Sequence, residues 1–257
     1  MKKFLTLCMM VSILGACKKD EHRPQSFSPD IFYKRMSTLR LDVAYEPGAE
    51  PYMYTVTGHA AWEFSEYNIE SVFAPRPQGM DVWVPASLTD MLAIPPQGKT
   101  SFTANDIKRL ADSYRLEEGT DTDGNIFIFF LNGYFFQNDS VNYNVLGVHL
   151  SGTTVIALFK PAINKASLTL AMRQFTEQSV VIHEVGHALG LVNKGVPMTA
   201  AHEDTVHPAH CTNADCVMYW QNEFSLSIAG QVQHFRDGVK FIVFGPECVE
   251  DISSYFP

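Results

Sequence analysis

The run His183-Glu184-Val185-Gly186-His187-Ala188-Leu189-Gly190 constrains this chain more tightly than any other feature. An α-helix turns once in about 3.6 residues, so His183 and His187 leave the same face about a turn apart. Two imidazoles at that spacing can share one Zn²⁺, and Glu184 beside them can take a proton from a water held there. The flanking sequence supports a helix. Between Gln174 and Val192, apolar side chains recur at Phe175, Val180, Val181, Ile182, Val185, Ala188, Leu189 and Val192, so the helix is expected to be buried. Gly190 and Gly195 stand where it should stop. Burying two histidines and a glutamate with no metal between them would be costly, which argues against a plain core helix.

The N-terminus reads as a targeting segment rather than as part of a fold. Lys2 and Lys3 precede an apolar run from Phe4 to Leu14, and Leu14-Gly15-Ala16-Cys17 closes it. The run is shorter than the ~20 residues that span a bilayer. Small residues directly before a cysteine resemble a bacterial lipobox, in which Cys17 is lipidated and becomes the first mature residue. The expected layout is a lipoprotein signal peptide over 1–17, a polar linker over 18–29 and one domain over 30–257. Lys18-Lys19-Asp20-Glu21 is either an ordinary charged tether or a short signal for surface exposure, so both the periplasmic and the outer side of the outer membrane stay open. A formal charge of −9 with few basic clusters speaks against nucleic acid and against broad electrostatic membrane binding. The lipid is then the expected membrane contact, and a monomer the expected state.

At 46% hydrophobic residues the chain can build a sizeable core. Leu39, Leu41, Val43 and Tyr45 alternate with polar residues as in a half-buried strand. The segment from Ala61 to Phe73 reads as a short helix and Asp81 to Pro85 as a short strand. Thr103 can cap a helix running to about Leu116. Asp121 to Asn125 reads as a tight, acid-rich turn that lacks the further ligands of an EF-hand loop. Ile126 to Leu131 is a continuous apolar run, hence a central strand, and Val145–Leu150 and Thr154–Phe159 supply two more. Together these predict an α/β fold.

A catalytic zinc site needs a third protein ligand and one open position. In the metzincin pattern that ligand lies three residues after the glycine, where this chain has Asn193, a poor zinc ligand. Residues 202–211 offer His202, His207 and His210 instead, with Glu203 and Asp204 nearby as orienting groups or as the ligand of a His₂Glu site. The string from His210 through Cys211 and Cys216 to Met218, HCxxxxCxM, resembles the corresponding segment of archaemetzincins. Over about Val180 to Tyr219 the chain therefore resembles a metzincin-like zinc peptidase with residues inserted between Gly190 and the third histidine. It is also similar to lipoprotein metalloproteases of Gram-negative bacteria.

The resemblance implies a zincin-like α+β fold, with a mixed twisted sheet packed on the HExxH helix and a small C-terminal lobe. It implies His210 as third ligand, with His207 and His202 as alternatives, and Met218 as a turn beneath the metal. Gly147 to Leu150 is the expected edge strand for a substrate backbone. Archaemetzincins also hold a structural zinc through four cysteines, two of which match Cys211 and Cys216. The downstream CxxC pair is missing, and Cys248 stands alone. In an oxidising envelope a Cys211–Cys216 disulfide is the expectation instead.

The expected activity is that of a zinc metalloendopeptidase acting on peptide or protein substrates, with Glu184 as the catalytic base. Two alternatives stay open. Asn193 motivates an inactive, lipid-anchored zinc- or protein-binding module. A closed structural site of His183, His187, His210 and Cys211 is the other.

Overall fold

A computed structural model of the chain describes residues 28–54, 60–115, 119–120, 122–166, 169–223 and 244–256. The segment expected to be a signal peptide, with Cys17, the expected linker as far as residue 27, Leu116 and Asp121 lie outside them.

The strands are β1 (Thr38–Tyr45), β2 (Asp81–Trp83), β3 (Leu92–Ala93), β4 (Ser101–Phe102), β5 (Asp123–Leu131), β6 (Tyr134–Gln137), β7 (Ser140–Asn142), β8 (Gly147–His149) and β9 (Val155–Phe159). The helices are α1 (Asp30–Lys34), α2 (Glu63–Phe73), α3 (Ala104–Tyr114), α4 (Lys160–Ala166), α5 (Leu170–Ala188) and α6 (Pro246–Tyr255).

The continuous apolar runs of β5 and β9 lie side by side and parallel at the centre of the main sheet, with Phe127 opposite Val155. Strands without a polar face need cover on both sides, and helices supply it. The sheet order is β2-β1-β5-β9-β8, with β3 also pairing β1. Pairing is parallel throughout except at β8, which runs antiparallel to β9 along the edge. The sheet is thus mixed, as expected, and the fold is α/β. β4, β6 and β7 form a separate small sheet.

Alternation in β1 buries Leu39, Leu41 and Val43 and leaves Arg40 exposed. β5 starts earlier than its apolar run suggests. Asp123, expected in a turn, pairs with Thr38, and its carboxylate accepts from Thr38 Oγ1 at 2.8 Å and from Thr120 Oγ1 at 2.9 Å. Buried Asn125 donates to Asp42 Oδ2 at 2.6 Å, so polar side chains complete the strand by bonding across it.

α5 packs against β8 and β9. Its first turn precedes the apolar run and is set by Thr169, whose side chain accepts from Met172 N at 3.3 Å. Several of its buried polar residues are matched by partners on other elements. Lys160 pairs with Glu177, whose other oxygen accepts from Tyr52 N at 2.7 Å, and Ser65 donates to Gln178 at 2.7 Å. The helix stops as foreseen. Gly190 has φ 84°, and a Cβ there would come 2.6 Å from Pro29, so α1 sits directly over the helix end. Tyr33 Oη, on α1, donates to Leu189 O at 2.8 Å. Beyond it, residues 190–223 form a largely irregular C-terminal lobe closed by α6, with isolated bridges from Cys211 to Glu203 and Tyr219.

Candidate metal centre

His183 and His187, buried one turn apart on α5, meet His210 from the C-terminal lobe. One ring nitrogen from each of the three lies within 4.8 Å of the others. The ring centroids are 4.7, 5.2 and 5.1 Å apart, a compact triangle. Nε2 of His183 and Nε2 of His187 stand 3.1 Å apart. A tetrahedral Zn²⁺ with Zn–N bonds of ~2.0–2.1 Å has nitrogen edges of ~3.3 Å, so the pair fits with little adjustment.

The ring orientations suit ligation. His183 Nδ1 lies 2.7 Å from Val217 O, so Nδ1–H donates to the carbonyl and Nε2 keeps its lone pair for a cation. The same carbonyl accepts from Asn222 Nδ2 at 2.5 Å. His210 Nδ1 lies 3.2 Å from His207 O and 3.1 Å from Pro208 O, which likewise leaves Nε2 for the cluster. Residues of the right donor chemistry, aimed at one point, fit a zinc ion.

The other sequence candidates are placed elsewhere. His207 stacks on Trp220, centroids 3.9 Å apart, and bonds Asp204 at 2.9 Å. His202 is buried beside Cys211 and Asp251. Glu203 holds the loop rather than an imidazole: it accepts from the Ala209 backbone N at 2.8 Å and from the Asn193 side-chain Nδ2 at 3.1 Å. Asn193 is therefore a brace for the loop that delivers His210. Cys211 does not join the three histidines, so the closed site imagined with it is not formed.

Glu184 is fully buried on α5. A Cβ on Gly147 would fall 3.1 Å from Glu184 Oε1 and 2.5 Å from Val180 Cγ1, so β8 passes against the glutamate with no side chain between. Met218 lies under the histidine pair: a Cβ on Gly186 would collide with its Sδ. Tyr219 is half-buried.

Cys211, Cys216 and Cys248 are free, buried thiols, so the disulfide expected between Cys211 and Cys216 is not formed. Hydrogen bonds from Cys216 and Cys248 hold the Cys211 thiol well below its ordinary value, while their bonds to Cys211 push the other two up. Cys248, which the sequence left alone, joins the cluster, and Asp251 bonds His202 at 2.7 Å. Sequence reasoning passed over Asp251. Its one signal, an acid three residues after Cys248, had meaning only on a helix.

No family model matches the chain, and no curated protein does. Among solved structures it is similar to a zinc-dependent peptidase from Methanocorpusculum labreanum (strain Z), with TM-score 0.47 and 13% identity. The match covers 83% of this chain and 99% of that one.

Proposed function

We propose that this protein is a zinc-dependent, metzincin-like endopeptidase that is lipid-anchored through Cys17 at the bacterial outer membrane. The observation that carries the reading is the convergence of His210, from the C-terminal lobe, on His183 and His187 of α5, with Glu184 buried on the same helix. Bound there, a zinc ion would supply Lewis acidity, activating water and polarising a peptide carbonyl. The chain's own residues do the rest. Val217 O and the carbonyls of His207 and Pro208 hold two imidazoles in the ligating tautomer. Glu184 takes the proton of the attacking water and passes it to the leaving amine. β8 lies at the sheet edge against Glu184, where an extended peptide can add as a further strand.

Zinc content and cleavage of a mixed peptide library, measured together on the full chain, test this. Wild type is expected to hold zinc and cleave. Glu184→Gln should keep the zinc and lose cleavage by ~10²–10⁴-fold, and His210→Ala should lose zinc from this site. Full activity in Glu184→Gln, or zinc with no cleavage by wild type, would sink the peptidase reading in favour of a binding module.

A further inference from the structure

The asparagine that breaks the metzincin pattern sits in a small cluster of left-handed backbone. Val192 and Asn193, just past the end of α5, have φ 49° and 62°, and Ala209, one residue before His210, has φ 71°. Residues with a Cβ avoid this region, a branched valine most of all, so neighbours must hold them there. One carboxylate reaches both places. Glu203 Oε1 accepts from Ala209 N at 2.8 Å, and Glu203 Oε2 accepts from Asn193 Nδ2 at 3.1 Å.

The backbone around Glu203 shows why this matters for the metal. Residues 202–204 and 210–212 run antiparallel through the bridge between Glu203 and Cys211. Asp204 N donates to His210 O at 2.7 Å and Thr212 N to His202 O at 2.8 Å. In the loop between them, Val206 N and His207 N donate to Asp204 Oδ1 at 2.8 and 3.2 Å. These bonds fix the shape of the hairpin that carries His210, but not its place against α5. The Asn193–Glu203 bond supplies that placement, because it ties the hairpin to the chain leaving the helix of His183 and His187. A ligand site tolerates misplacement of only ~0.5 Å, so the tie bears on metal binding directly.

We propose that Glu203 is a positioning residue for the third metal ligand, acting with Asn193 as a strut that sets His210 against the histidine pair. It works through the backbone of Ala209 and the end of α5, not by ligation. Asn193 stands where the metzincin pattern has its third ligand. In this chain that position carries the support of the ligand instead of the ligand itself, so a histidine delivered from further along can take over the role. The strut also has a chemical sense. Asparagine gives the N–H and glutamate takes it, so an acid at position 193 would meet the Glu203 carboxylate with no proton to share.

The inference rests on the three-histidine site but not on peptide cleavage. Zinc affinity of the full chain is read by competition with a chelator, counting the zinc that His210→Ala loses. Glu203→Ala should weaken it by ~10–100-fold, the usual effect of removing an outer support of a ligand. Glu203→Gln keeps an acceptor for Ala209 N and should bind like wild type. Asn193→Asp should weaken binding by ~10-fold or more. Adding Glu203→Gln, whose amide can donate to the new acid, should restore it. Cobalt in place of zinc reports geometry: the visible bands that His210→Ala loses should shift in Glu203→Ala and return in the swapped pair. Should Glu203→Ala fail to fold, Asn193→Asp and the swapped pair carry the test. Wild-type affinity in Asn193→Asp, or a swapped pair no better than Asn193→Asp alone, overturns the proposal. So does zinc regained by Asn193→His in a His210→Ala background, which would put position 193 at the metal. A wild type with no zinc at the three histidines removes the site and the strut together. The expected losses in a protein that cleaves nothing would support the strut and remove the peptidase reading.

Discussion

At the scale of single residues, the clearest constraint is the space between Gly186 and Met218. Gly186 lies between the two histidines of α5, and a side chain there would run into Met218 Sδ and come 3.0 Å from Phe244 Cε1. Gly186→Ala should therefore destabilise the protein by ~1–3 kcal/mol through overpacking, more than the ~1 kcal/mol that alanine gains as a helix former. Urea unfolding of the metal-loaded protein reads this directly, and an unchanged or raised midpoint would mean that Met218 can step aside. Glu184 and the first two histidines were legible in the sequence because helix geometry alone places them together. The third histidine was singled out only by the HCxxxxCxM resemblance, not by local geometry. His202, His207 and His210 are chemically equivalent in sequence, and they are separated by partners that no local pattern announces: Asp251 for the first, Asp204 and Trp220 for the second.

At the scale of elements, α5 owes its position to a buried ion pair as well as to apolar packing. Lys160, at the start of α4 directly after β9, meets Glu177, two helical turns before Glu184. Burial lowers the lysine and raises the glutamate from their ordinary values, and their mutual attraction opposes both shifts. Removing one partner leaves a buried charge, so Lys160→Met should cost ~3–5 kcal/mol. Adding Glu177→Gln removes the charge while keeping an acceptor for Tyr52 N, and should recover a large part of that loss. Thermal unfolding of the single and double variants checks the pair; equal losses in both would assign the cost to packing rather than to charge. The sequence showed β5, β9 and the metal helix as elements because long apolar runs have one reading. It misplaced their starts, at Asp123 and at Leu170, because polar side chains that bond across a strand or cap a helix carry no hydrophobic period.

At the scale of the whole molecule, the segment expected to carry the domain to the membrane lies outside the described residues. No helix among the described residues is long and apolar enough to cross a bilayer. Membrane attachment through the Cys17 lipid alone then makes a sharp prediction: Cys17→Ser should abolish incorporation of labelled fatty acid and shift the protein from the membrane fraction to the soluble one. Retention in membranes without label would point to an attachment other than the lipid. The α/β layering was legible from the order of periodic segments, but the clustering of Cys248 with Cys211 was not, since chain separation says nothing about which loops close on one another.

That closure also has a direction in time. α6 brings Asp251 to Thr199 and His202, and the rings of Tyr255 and Phe256 lie 5.4 and 5.6 Å from that of Tyr33 near the other end of the described chain. A growing polypeptide emerges from its N-terminus, so the loop that presents His210 gains these braces only after α6 has been made. Until then α5 can exist with two histidines but not with the assembled third. The three-histidine cluster thus waits on α6 for its support, a delay written into the order of its residues.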